Sequence, residues 1–167
     1  MIRSNFKKYW IDEKRLSDPM FWYMKAYAYA STCSFIWKSF GEVVYAEQNP
    51  ELSINAIRST PYLTGLACEL FMKGYLVSKG GTKNVMRLRH NLKEIREACA
   101  AFGDKRFEDK DLKFLTDTCG EQLMENGGIR YPDKHEMLVF PEFKNALNLI
   151  QKISSEVSSE IMNAKTP

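Results

Sequence analysis

Glu69 and Lys73 stand one helical turn apart in an apolar stretch, Glu69-Leu-Phe-Met-Lys73-Gly-Tyr-Leu76, and His90 follows beyond a double glycine and a basic run. A carboxylate followed by an ammonium at i, i+4 pairs favourably on one helix face. Histidine is the side chain best suited to acid–base work at neutral pH. Together the three could orient a proton-transfer group. From Leu70 through Lys93 the chain carries Lys73, Lys79, Lys83, Arg87, Arg89 and Lys93, and no Asp or Glu. Such a run offers phosphate contacts with steep salt dependence, and an arginine beside a histidine can stabilise the charge that develops on a phosphodiester. His135, with Arg130 five positions before it, competes with His90 for the same role. Each feature also has a purely structural reading. Glu69 and Lys73 can form a partly buried polar network, His90 can satisfy backbone groups at a helix start, and the basic run can be a solvated loop face.

The bulk composition narrows the classes. A chain of 167 residues fits one domain with a core large enough to need neither disulfide nor metal. Its net charge is +3, but residues 70–93 hold +6, so positive charge is concentrated there. Cys33, Cys68, Cys99 and Cys119 are too widely spaced for a zinc pattern, and only two histidines are present, so no metal site and no cofactor is expected. There is no Walker loop and no Gly-x-Gly-x-x-Gly, which removes the common nucleotide-binding classes. The longest uncharged run near the first helix, Ala26 to Trp37, is shorter than the ~20 residues of a membrane span. The start of the chain lacks the apolar stretch of a signal peptide, and we expect a cytoplasmic protein with no membrane association.

The elements that must position these residues are helical. Asp18-Pro19 opens a first helix that can run to about Gln48 and is apolar nearly all round, which suggests a central helix or one covered by a second subunit. Thr60-Pro61 repeats the start signal after a short helical turn near 51–58, and the second long helix stops at Gly80-Gly81. A third helix spans about 90–101, opening on His90 and ended by Gly103, and a fourth covers about 109–125. Residues 129–140 lack helical period and read as an irregular or hairpin insertion. Pro141 opens the last helix, with Ile150, Ile153 and Val157 in its stripe. The expected fold is all-α: an up-and-down bundle of four to five main helices, one domain over 1–167 with 1–17 as an N-terminal extension.

The phrase Glu69-Leu-Phe-Met-Lys73-Gly-Tyr-Leu76, the glycine loop, His90-Asn-Leu92 and the later Arg130-Tyr-Pro132 resemble the HEPN superfamily, small helical-bundle proteins of prokaryotic toxin–antitoxin and defence systems. The resemblance covers about residues 60–160. It implies a helical bundle that forms homodimers and that acts as a metal-independent ribonuclease or as a non-catalytic RNA-binding or interaction domain. Catalytic members carry Arg-x4-6-His. Before His90 the corresponding window holds Lys83-Asn84, with lysine in place of arginine, whereas Arg130 and His135 keep the spacing with Pro132 between them. The resemblance thus implies Glu69, Lys73 and His90 as neighbours, His90 or Arg130 with His135 as catalytic candidates, and Lys79, Lys83, Arg87, Arg89 and Lys93 as a surface for RNA. The competing reading is an interaction module whose basic face docks an acidic partner such as a cognate antitoxin.

Overall fold

A computed structural model describes residues 13–41, 50–124 and 143–164, and among them every regular element is helical. In chain order they are α1 (Glu13–Leu16), α2 (Pro19–Ile36), a π-helical turn Trp37–Gly41, α3 (Pro50–Ser78), α4 (Thr82–Arg87), α5 (Leu92–Ala100), a 3-10 turn Lys105–Glu108, α6 (Lys110–Met124) and α7 (Phe143–Ala164). The fold is an all-α bundle, and no described helix is long and apolar enough to cross a membrane. The expected insertion at 129–140, with Arg130 and His135, lies outside the described residues.

The start of α2 follows its sequence. Asp18 caps it by accepting the Met20 N–H at 3.0 Å, and Pro19 sits where a missing N–H costs nothing. The Trp22 indole donates to the Leu16 carbonyl at 2.9 Å, which ties α1 to α2. α2 and α3 form an antiparallel hairpin: Trp22 and Tyr23 meet Gly74, and Cys33 meets Thr60 and Thr64. The close approach at Gly74 leaves little room for a side chain, since an added Cβ would lie 3.1 Å from the Trp22 Cβ and 3.2 Å from the Tyr23 ring. Trp22 is pinned by its indole hydrogen bond and Tyr23 by its contact with Phe71, so neither can step aside. Gly74→Ala is therefore expected to lower stability by about 1–2 kcal/mol in urea denaturation despite alanine's better helix propensity.

Three boundaries differ from the sequence expectation. Thr60-Pro61 does not start a helix, and no separate turn precedes it. α3 runs without a break from Pro50 to Ser78. Pro61 removes one backbone donor, the one that would reach the carbonyl four residues back, and the neighbouring turn is tied to α2: Thr64 Oγ1 donates to the Thr60 carbonyl at 2.8 Å and Cys33 Sγ to the same oxygen at 3.6 Å. The basic run is not a plain loop, because α4 occupies its centre and is anchored by the buried Val85. Nor does His90 open the next helix. Asn91 is the N-cap, accepting the Glu94 N–H at 3.1 Å, and His90 stands one residue outside.

α3 stops where the double glycine says it should. Gly80 has φ 82, its N–H bonds the Val77 carbonyl at 3.0 Å, and the Gly81 N–H bonds Leu76 at 2.8 Å, the paired closure of a Schellman motif. The C-terminal half of α3 is the axis of the core. Phe71, Met72 and Cys68 are fully buried and are covered by α2, α5, α6 and α7. α5 crosses α3 steeply: His90 at its start lies against Glu69, while Cys99 at its end reaches only the Met72 carbonyl. That crossing brings an exposed histidine over a buried carboxylate.

Candidate functional site

Glu69 and Lys73 project from the buried half of α3, only 2% and 6% exposed, and Lys73 Nζ lies 2.7 Å from Glu69 Oε1. Lys73 has two further partners. It donates to the backbone carbonyl of Arg89, and its ammonium lies 5.9 Å from the Trp22 ring centroid. Both charges are therefore enclosed and mutually compensated, the only arrangement in which an apolar helix tolerates them. Glu69 in turn faces outward to His90, whose Nδ1 sits 3.1 and 3.0 Å from its two carboxylate oxygens. The histidine side chain is 64% exposed. A carboxylate held by lysine thus fixes Nδ1–H as the donor and leaves Nε2 facing solvent, where it can accept a proton as neutral imidazole or give one as imidazolium.

The backbone under His90 is unusual. Arg89 adopts φ 46, the left-handed region that non-glycine residues avoid, and its carbonyl is the one that Lys73 holds. Arg89→Gly should relieve that conformation and raise stability by about 0.5–1 kcal/mol, while removing one positive charge from the surface. Thermal unfolding would read the first effect, and the salt dependence of polyanion binding the second.

The positive residues around this turn are outward and unpaired. Lys79, Arg87, Arg89 and Lys93 are exposed, and among the described residues none of them makes an ion pair. Lys83 lies on α4. Glu69, Lys73 and His90 are brought into contact; Arg87 and Arg89 precede His90 and Lys93 follows it in the chain, Lys79 follows the far end of α3, Lys83 lies on α4, and Arg130 and His135 lie outside the described residues. Cys33, Cys68 and Cys99 are buried thiols outside any disulfide, and burial pushes the Cys33 and Cys99 thiols up, away from the reactive thiolate. Among the described residues no group of three His, Cys, Asp or Glu side chains converges on a point where a metal could sit.

Two further polar centres escaped the sequence reading. Arg96 is buried in α5 and donates to Thr116 Oγ1 at 3.1 Å and to the Phe107 carbonyl at 3.3 Å, joining α5, α6 and the 3-10 turn. Its signal was present: Arg96 stands on the same face as Leu92, Ile95 and Cys99, a charge where helical period calls for an apolar residue. Arg106 holds Asp104 at 2.6 Å and Glu160 at 2.7 Å, which clamps α7 to the 3-10 turn. The Arg106 hydrogen bonds hold the Asp104 carboxyl below its usual range. Both centres are structural, since their donors are already used within the fold. Comparison of the chain with protein-family models, with curated proteins and with solved structures finds no match.

Proposed function

We propose that the α3–α5 elbow binds the phosphate backbone of RNA and that His90 acts there as a metal-independent acid or base, a HEPN-like role in prokaryotic defence or a toxin–antitoxin pair. One observation supports this above the others. A buried Glu69–Lys73 pair holds an exposed imidazole within a stretch of chain, residues 79–93, whose exposed Lys79, Arg87, Arg89 and Lys93 make no ion pair among the described residues. RNA supplies its own nucleophile. The 2′-oxygen attacks the adjacent phosphorus, the P–O5′ bond breaks to leave a 2′,3′-cyclic phosphate and a 5′-hydroxyl, and Nε2 makes one of the two proton transfers, from the 2′-oxygen or to O5′, while water makes the other. Neighbouring guanidinium groups offset the charge that builds on the phosphoryl oxygens.

The second reading is a non-catalytic module that docks an acidic protein such as a cognate antitoxin. It is favoured by the absence, among the described residues, of a second histidine to complete an acid–base pair. The proposal extends to a homodimer through α2, whose outer face exposes Met24, Tyr27 and Phe35 at i, i+3 and i+11, the spacing of a helix–helix seam. A monomeric mass by light scattering at micromolar concentration would remove that part.

Incubating the protein with structured RNA in EDTA separates the readings. Cleavage by the wild type, reduced on the order of 10²-fold or more in His90→Ala, is the expected result. Removing the imidazole takes a donor from the buried Glu69 carboxylate, so that variant should lose about 1 kcal/mol of stability and still be folded at the assay temperature, which urea denaturation checks. Cleavage that survives His90→Ala and disappears in His135→Ala would move the chemistry to Arg130 and His135. Salt-sensitive binding with no cleavage would leave the docking module.

A further inference from the structure

Phe102 is 51% exposed although it sits on a well-ordered turn at the end of α5. Its N–H bonds the Cys99 carbonyl at 3.2 Å, and the next residue's N–H bonds Ala100 at 2.8 Å, so the backbone beneath the ring is fixed. The ring meets the buried Tyr75 at 6.2 Å with planes 77° apart. Lys79 Nζ lies 5.3 Å from the centroid of the same tyrosine. One buried ring therefore touches both a half-open phenyl group and an exposed ammonium. Asp104, two residues beyond Phe102, interacts with Tyr75 and is held through bidentate hydrogen bonds by Arg106, which it shares with Glu160. Lys79 also begins the turn that leads through Lys83 and Arg87 to Arg89 and His90.

We propose that Phe102 is a stacking platform for an unpaired base, and that the strand carrying that base runs its phosphates over Lys79 and along α4 toward His90. The occupant is a single-stranded stretch of nucleic acid. A duplex keeps the faces of its bases covered, whereas a single strand offers every base to an exposed ring, and a flanking cation takes the adjoining phosphate. The length is suitable. From Glu69, beneath His90, to Lys79 the rise along α3 is about 15 Å, and at the ~3.4 Å phosphate spacing of a stacked strand that covers about four phosphates. Charge sets the route. The solvent side of α5 carries Glu94 and Glu97 against Lys93 alone, a net negative face, so the strand follows the basic α4 side. This inference rests on the elbow being a polyanion surface, and it adds the form of the strand and the residue that recognises it.

Anisotropy of a labelled oligoadenylate, and of a labelled duplex of equal length, measured across a salt series tests it. Phe102→Ala should weaken oligoadenylate binding on the order of tenfold, with the salt slope and the duplex affinity unchanged, and Phe102→Trp should restore it. Lys79→Gln should instead lower the slope by about 0.7. Phe102→Ala that binds oligoadenylate as tightly as the wild type, while Arg87→Gln and Arg89→Gln bind more weakly, overturns the platform and leaves the elbow reading standing. Equal losses on both probes likewise overturn it. A wild-type protein that binds neither probe refutes the elbow reading and this inference together.

Discussion

Lys73→Met should cost about 3–5 kcal/mol of folding stability, the largest single effect expected at a charged position of this chain. The methionine fills a similar volume, so packing changes little. What changes is that Glu69, 2% exposed, loses the ammonium 2.7 Å away, and that the Arg89 carbonyl loses its donor. A deficit of that size is a large share of the roughly 5–15 kcal/mol that holds a domain together. Urea titration would read it as a lower midpoint at unchanged slope. Adding Glu69→Leu should recover part of the loss, because the double variant leaves no unpaired buried charge. A Lys73→Met protein with the wild-type midpoint would show that the pair is not enclosed as described.

Phe107→Ala is the second large effect, at about 3–5 kcal/mol. Phe107 is fully buried although it sits on the short Lys105–Glu108 turn. Its ring stacks on Phe71 at 6.0 Å and approaches Tyr75 at 4.5 Å, while its carbonyl receives the Arg96 guanidinium. Truncation opens a cavity against α3 and loosens the segment from which Arg106 clamps α7. The two variants should differ in where they fail. Lys73→Met should disturb the turn at Arg89 and His90, and Phe107→Ala the packing of α7. Amide protection measured by hydrogen exchange distinguishes them.

Much of the arrangement was legible because its signals are local. Asp18-Pro19 names a helix start within two residues, Gly80-Gly81 names a stop, and Glu69 and Lys73 share a helix face by spacing alone. The meeting of His90 with Glu69 was legible only through a resemblance, since no periodic rule carries a contact across a turn. The misreadings have physical causes. Pro61 reads as a helix start until the packing of α2 along both sides of it is known. Asn91 followed by Glu94 is a capping pattern that places the helix start one residue beyond His90, although a histidine can also satisfy backbone groups at a helix start. Arg106 could not be singled out from the charges around it, because Glu156 and Glu160 reach it only after α7 folds back.

Pro61 has a consequence for how α3 opens. With no amide at residue 61, the ladder of hydrogen bonds in this helix has a missing rung beside the point where Cys33 and Thr64 both donate to the Thr60 carbonyl. The stretch from Pro50 to that point can fray by breaking a few bonds, while the stretch beyond it lies in the core and opens only with the whole domain. One continuous rod should therefore exchange its amide protons as two: quickly before the proline, and at the rate of global unfolding after it.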